Sequence, residues 1–127
     1  MTTLAAAPLR VALADDQALV REGLAALLGR LGLEVVASVD DGHALLGLLE
    51  STAVDVIVSD VRMPGLDGVA LVRELRARGL ATPVVLVTTF EEDDLVLAAA
   101  AAGANGFLPQ GASAEDLRDA ILRAHRG

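Results

Sequence analysis

The sequence contains no cysteine, lysine, tryptophan or tyrosine. Without cysteine, the chain cannot form a disulfide scaffold, use a thiolate nucleophile, or bind zinc or iron–sulfur clusters through sulfur. Histidine occurs only at His43 and His125, which is too few for most histidine metal sites. Any metal held by this chain is therefore expected to bind oxygen ligands, which suit hard divalent cations.

The charge balance is acidic, because ten arginines face 18 aspartates and glutamates for a net charge of −8. This balance argues against binding to a nucleic-acid backbone by this chain alone. The longest uncharged apolar stretch, about Leu95–Gly106, is well short of the ~20 residues of a membrane span. The first residues lack the basic region of a signal peptide. We expect a cytoplasmic protein with no membrane partner, a flexible arm over residues 1–8, and one folded domain over residues 9–126.

Strand-like and helix-like segments alternate five times along the chain. Apolar runs predict strands over residues 9–14, 34–39, 54–58, 83–88 and 106–109. Helical spacing of apolar residues, with capping residues such as Asp67 and Ser113, predicts helices over residues 17–31, 44–50, 68–78, 91–102 and 114–126. Such alternation with short loops predicts an α/β fold, a doubly wound, five-stranded parallel sheet with helices on both faces, in three layers.

Polar residues stand where the predicted strands end. They are Asp15 and Asp16 after the first strand, Asp60 after the third, Thr88 in the fourth and Gln110 after the fifth. In open parallel sheets, ligands bind and functional residues lie at the carboxyl ends of the strands. Three carboxylates converging there repel one another unless a cation joins them, and oxygen ligands favour Mg²⁺. Each residue alone also has a plainer interpretation: a helix N-cap for Asp15 or Asp16, turn chemistry for Asp60, a β-branched strand residue for Thr88.

Over residues 9–126 the sequence resembles the receiver domain of bacterial two-component response regulators. The motifs that carry the resemblance are Ala14-Asp15-Asp16, Val58-Ser-Asp-Val-Arg-Met-Pro-Gly-Leu-Asp-Gly68, Val87-Thr-Thr-Phe90 and Ala102-Gly-Ala-Asn-Gly-Phe-Leu108. The third motif is similar to the nitrate-regulator subgroup, whose members usually carry a C-terminal LuxR-type helix-turn-helix domain. The resemblance implies a flavodoxin-like receiver fold with strand order 2-1-3-4-5.

The resemblance also implies a role for each site residue. Asp60 corresponds to the phosphoryl acceptor, Thr88 to the hydroxyl that contacts the phosphoryl group, and Phe107 to an aromatic switch, although a plain core position is the alternative for Phe107. The implied ligands of Mg²⁺ are Asp15, Asp16, Asp60 and the backbone carbonyl of Arg62. The implied partners are a sensor histidine kinase, a second copy in a homodimer, and DNA only through a helix-turn-helix domain outside this chain. Such a domain modifies itself and is not a turnover enzyme.

One family position does not match, because Gln110 stands where the family has a lysine. A charge-assisted hydrogen bond contributes about 1.5–3 kcal/mol, against roughly 0.5–1.5 kcal/mol for the neutral bond that glutamine offers. Two functions therefore stay open: a phosphorylated receiver that switches a transcriptional output domain, and an atypical, phosphorylation-independent receiver that binds a ligand or protein. An aspartyl-nucleophile phosphatase is disfavoured because Arg62 replaces its second acid. A dinucleotide-binding domain is disfavoured because Asp15-Asp16 replaces its glycine-rich turn.

Overall fold

The computed structural model of the protein describes residues 8–88, 93–109 and 111–127. In this part of the chain five strands alternate with five helices. The strands are β1 (Arg10–Ala14), β2 (Glu34–Val39), β3 (Val56–Asp60), β4 (Val84–Thr88) and β5 (Gly106–Pro109). The helices are α1 (Ala18–Arg30), α2 (Gly42–Leu49), α3 (Gly68–Ala77), α4 (Asp93–Ala102) and α5 (Ala114–Arg126). The arm predicted over residues 1–8 lies outside the described residues except for Pro8, as do Glu91 and Glu92 of the predicted fourth helix.

The strands form one parallel sheet in the order β2-β1-β3-β4-β5, which confirms the predicted fold. Consecutive parallel strands require crossover connections, and a helix supplies each of them. The third strand runs from Val56 to Asp60, two residues later than predicted at both ends. Asp60 pairs with Val87 of β4, so the polar residues Ser59 and Asp60 belong to the strand and not to the loop after it. Asp60 is thereby fixed by the sheet itself.

Buried side chains form two clusters, one on each face of the sheet. One cluster joins the sheet to α2, α3 and α4 through residues such as Leu45, Leu71 and Ala99. The other joins it to α1 and α5 through residues such as Leu28 and Ile121. This is the three-layer arrangement expected from the alternation of elements. Among the described residues, no helix combines the length and apolar character needed to cross a membrane.

The helix N-termini explain how the loops at the carboxyl edge of the sheet are held. Asp67 caps α3 by accepting a hydrogen bond from the Ala70 N–H at 2.8 Å, as predicted. Ser113 caps α5 in a capping box, also as predicted. The N-cap of α1 is Gln17, whose side chain makes no capping bond. The alternative in which Asp15 or Asp16 caps this helix is therefore wrong, and both carboxylates belong to the preceding turn.

Candidate metal centre

Three carboxylates converge at the carboxyl edge of the two central strands. β1 and β3 pair in parallel with Ala14 opposite Ser59, so the next residues, Asp15 and Asp60, emerge side by side. One carboxylate oxygen from each of Asp15, Asp16 and Asp60 lies within 4.8 Å of the others. Asp15 is only 6% exposed, Asp60 is half-buried and Asp16 is exposed. The structure therefore brings together the acidic residues that the sequence pattern placed at one edge.

Burial and mutual repulsion disfavour the ionised forms of two of these groups. Burial raises the pKa of Asp15, and the charge of Asp16 raises it further, against a hydrogen bond from the Gln17 N–H to Asp15 Oδ1 at 2.8 Å. Burial likewise raises the pKa of Asp60, and the charge of Asp15 adds to this effect. A cation placed among the carboxylates would remove the repulsion. The arrangement therefore favours a cation-bound state over a state with three ionised carboxylates and no cation.

The donor set fits a hard divalent cation. All three side chains offer carboxylate oxygens, and Mg²⁺ is commonly held by one or two carboxylates together with waters. The Arg62 N–H donates to Asp60 Oδ1 at 3.3 Å, which holds the β3–α3 loop against the Asp60 carboxylate. The backbone carbonyl of Arg62 as a fourth ligand stays a prediction. These residues present no sulfur or imidazole ligand that would favour a softer metal.

A groove beside the carboxylates opens the centre to solvent. Its volume is about 370 Å³, and it runs between the β1–α1 turn and the β3–α3 loop. The residues that line it are Asp16, Val61, Arg62, Met63, Pro64 and Asp67. The groove exposes Asp16 and the loop that directly follows Asp60 to small molecules and to side chains of a partner.

The remaining predicted site residues are Thr88, Phe107 and Gln110, of which the structure describes the first two. Thr88 is the last residue of β4, is only 2% exposed, and lies at the same edge of the sheet as Asp60. Phe107 pairs with Leu86 in the sheet and packs, half-buried, against the core on the α2–α4 side. This position suits the core alternative, and the switch role stays a prediction. Gln110 lies outside the described residues.

Sequence reasoning missed one residue of this region, Arg21. Its Nη1 donates to the backbone carbonyl of Asp15 at 2.5 Å, from the first turns of α1. The sequence did hold a signal for Arg21, because a cation near a helix N-terminus is unfavourable for the helix dipole. An arginine at such a position therefore indicates an interaction outside the helix. Its partner could not be foreseen, since the contact depends on how the turn over residues 15–17 folds back on the helix.

Comparisons with known proteins identify the family to which this fold and sequence are similar. A family model described as the response regulator receiver domain matches residues 11–122. The transcriptional regulatory protein PdtaR of Mycobacterium tuberculosis is 39% identical over 117 residues, which cover 92% of this chain and 57% of that protein. An uncharacterized transcriptional regulatory protein of Bacillus subtilis, YxjL, is 38% identical over 120 residues, which cover 94% of this chain and 55% of that protein. The chain thus spans about half the length of these relatives.

Solved structures give the same result at the level of the fold. The receiver domain of the putative response regulator NarL from Mycobacterium tuberculosis superposes with a TM-score of 0.91 at 34% identity, covering 96% of this chain and 99% of that one. A LuxR-family DNA-binding response regulator from Staphylococcus aureus superposes with a TM-score of 0.87 at 26% identity, covering 92% and 98%. These comparisons do not favour the alternative of a phosphorylation-independent binding module.

Proposed function

The chain belongs to the response regulator receiver family, and on that premise we propose that it receives its signal as a phosphoryl group on Asp60. The observation that carries the proposal is the cluster of Asp15, Asp16 and Asp60 at the ends of β1 and β3, with oxygens within 4.8 Å of one another. A receiver needs an accessible carboxylate acceptor beside a cation site. The groove lined by Asp16 and by the loop that follows Asp60 would supply the access.

In the proposed reaction, a carboxylate oxygen of Asp60 attacks the phosphorus of a phosphohistidine or of a small phosphodonor. The new oxygen–phosphorus bond forms as the bond from phosphorus to the donor breaks, and the leaving group keeps the electron pair. Asp60 must be ionised to attack, although burial raises its pKa. A Mg²⁺ ion held by Asp15, Asp16, Asp60 and the Arg62 carbonyl would neutralise charge on the phosphoryl oxygens. The chain supplies positioning and charge, and it is a signalling domain that modifies itself.

The phosphoryl group is proposed to act on the neighbouring strand ends. Thr88, buried at the end of β4, would donate its hydroxyl to a phosphoryl oxygen. Gln110 would offer a neutral hydrogen bond where the family has an ammonium group, which weakens the contact. The added charge would then bias the surface around β4 and β5, including Phe107 as a switch.

The proposed partners follow from the family. A sensor histidine kinase would supply the phosphoryl group in the cytoplasm. The phosphorylated domain would act as a homodimer and would reach DNA through a helix-turn-helix output domain outside this chain. The net charge of −8 agrees with a receiver that does not hold DNA by itself.

The test is phosphorylation in solution, followed by intact-protein mass spectrometry. With Mg²⁺ and acetyl phosphate, the wild-type chain should gain the mass of one phosphoryl group. Asp60→Asn should gain none, because its amide is not a nucleophile of this kind. Adding a chelator to the wild type should also abolish the gain.

Asp67→Asn is the matched control. Asp67 lines the same groove but caps α3 and lies outside the three-carboxylate cluster. Because asparagine is an equally good N-cap, this variant should keep its fold and be phosphorylated like the wild type. The proposal would fail if the wild type gained no mass with any donor, or if Asp60→Asn were modified to the same extent as the wild type.

A further inference from the structure

Arg21 holds the turn that carries two of the three carboxylates. This half-buried arginine lies in the first turns of α1, and its own N–H donates to the Gln17 carbonyl at 2.9 Å, as a helix requires. Its guanidinium reaches back over the start of the helix, where Nη1 donates to the Asp15 carbonyl at 2.5 Å. The contact therefore ties the helix to the residue that follows β1.

Helix stability does not explain an arginine at this position. The first turn of α1 contains no acidic residue, and its N-cap Gln17 makes no side-chain cap. The N-terminus of a helix carries partial positive charge, so a nearby cation is unfavourable for the helix itself. What Arg21 gains is a charge-assisted hydrogen bond to a carbonyl in the metal-binding turn.

Asp15 is consequently held at three of its atoms. Arg21 binds its carbonyl, the Gln17 N–H donates to Oδ1 at 2.8 Å, and its own N–H donates to the Val39 carbonyl at 3.1 Å. These contacts come from α1, from the turn itself and from β2. Together they leave the Asp15 carboxylate, and the adjacent Asp16, facing Asp60.

Arg21 does not take the place of the family's lysine. Its charge acts on Asp15, whereas the charges that act on Asp60 come chiefly from Asp15 and Asp16. Its hydrogen bond is to a backbone carbonyl and not to a carboxylate. Its effect on the site must therefore pass through the conformation of residues 15–17.

We propose that Arg21 is a positioning residue of the metal centre, which fixes the turn over residues 15–17 so that Asp15 and Asp16 meet Asp60 before a cation binds. This inference rests on the proposed function in one respect, namely that the cluster binds Mg²⁺. Groups that orient metal ligands from outside the first layer of contacts typically change metal affinity 10- to 100-fold when removed.

The experiment is a calorimetric Mg²⁺ titration of the whole chain as wild type, Arg21→Met, Arg21→Lys and Arg30→Met. Arg30→Met is the matched control, because Arg30 is exposed in the last turn of the same helix. Arg21→Met should weaken Mg²⁺ binding about 10-fold. Arg21→Lys should lose less, since an ammonium group can still donate to the Asp15 carbonyl. Arg30→Met should bind like the wild type.

Thermal unfolding of the metal-free variants separates positioning from a purely structural role. A cation near the N-terminus of α1 is unfavourable for the helix, so Arg21→Met removes this penalty along with its hydrogen bond. The variant should therefore lose much Mg²⁺ affinity but little free energy of unfolding. Equal affinities of the wild type and Arg21→Met would overturn the inference alone. Equal weakening in Arg21→Met and Arg30→Met would overturn it too, because an effect shared with an arginine at the far end of α1 cannot come from the contact with the Asp15 carbonyl. A wild type that binds no Mg²⁺ would instead overturn the proposed metal centre, and the inference with it.

Discussion

At the scale of single residues, the aspartate cluster at the ends of β1 and β3 places carboxylates where burial disfavours their ionised forms. Asp15 is buried and Asp60 half-buried beside it, and burial is the main reason why the pKa of each is raised. The unfolded chain has no such penalty, because water solvates each carboxylate separately. The folded state therefore holds protons on these groups at pH values where the unfolded state has released them.

This difference predicts a pH dependence of stability for the metal-free protein. Above the ordinary carboxyl pKa of 3.8, the folded state binds more protons at Asp60 than the unfolded state does. The free energy of unfolding therefore falls as pH rises, and the contribution of Asp60 is lost as pH passes through its raised pKa in the folded state. Asp60→Asn should accordingly be more stable than the wild type at neutral pH, and the gap should close in acid. Urea unfolding with a chelator present, at acidic and neutral pH, measures the gap. A gap that is the same at both pH values would contradict the prediction.

Mg²⁺ should stabilise the wild type more than Asp60→Asn, which urea unfolding with and without Mg²⁺ measures. A ligand that binds only the folded state stabilises it by about 2.7 kcal/mol at 100 times its dissociation constant. The wild type should gain this amount at such a Mg²⁺ concentration. Asp60→Asn should gain less, because it has lost one carboxylate of the cluster.

At the scale of elements, the junction between β3 and α3 constrains the backbone at the end of β3, where Asp60 lies. The Gly68 N–H donates to the Val61 carbonyl at 2.8 Å, which closes the loop and starts α3 against the end of β3. A Cβ atom on Gly68 would lie 2.5 Å from the Asp60 carbonyl oxygen and 3.0 Å from the Val61 Cα. Only glycine allows the helix to begin this close to β3.

Gly68→Ala should therefore destabilise the protein by about 1–3 kcal/mol, the usual cost of overpacking, and should displace the backbone of Asp60. Gly47→Ala is the control, because Gly47 lies within α2 and nothing stands within 4 Å of an added Cβ. That variant should gain roughly 0.5–1 kcal/mol from helix propensity. Urea unfolding of both variants measures these effects. If both changed stability in the same direction, the close approach at Gly68 would not be the cause.

At the scale of the whole molecule, one arginine joins segments that are far apart in the sequence. Arg76, near the end of α3, directs all five of its N–H donors to protein acceptors. Leu80 and Thr82 accept through their carbonyls before β4, while the Gly103 carbonyl and the Asn105 side chain accept before β5. Burial lowers the pKa of Arg76, and the acceptors compensate for its lost hydration.

Replacing Arg76 should be costly for the folding of the whole domain. Arg76→Met keeps much of the apolar stem but leaves several acceptors without a partner, which predicts a loss of about 2–3 kcal/mol of unfolding free energy. Arg73→Met is the control, since Arg73 lies exposed on the same helix and should change stability by no more than about 0.5 kcal/mol. Denaturant unfolding compares the two. Equal effects would mean that the five contacts do not stabilise the fold.

Much of this architecture could be predicted from local patterns. Apolar runs ending in polar residues located the strands, and Asp67 and Ser113 marked two helix starts that the structure confirms. The predicted end of β3 lies two residues too early because Ser59 and Asp60 are polar, and only their pairing with β4 identifies them as strand residues. The capping alternative for Asp15 and Asp16 is wrong because α1 has Gln17 as its N-cap, which leaves both aspartates in the turn before the helix.

The sequence by itself determined the three-layer architecture and the edge of the sheet at which the candidate site lies. Both follow from patterns among neighbouring residues, namely the periodicity of apolar residues and the polar residues at strand ends. Only the tertiary structure decided how closely the predicted cluster of Asp15, Asp16 and Asp60 is packed, with oxygens within 4.8 Å of one another. It also decided that Arg21 donates to the Asp15 carbonyl and that Arg76 donates mainly to backbone carbonyls. Backbone carbonyls are present at every residue and leave no signal in a sequence. For Arg21 the acceptor depends on how the turn over residues 15–17 folds back on α1, and for Arg76 it depends on how segments distant in the sequence pack together.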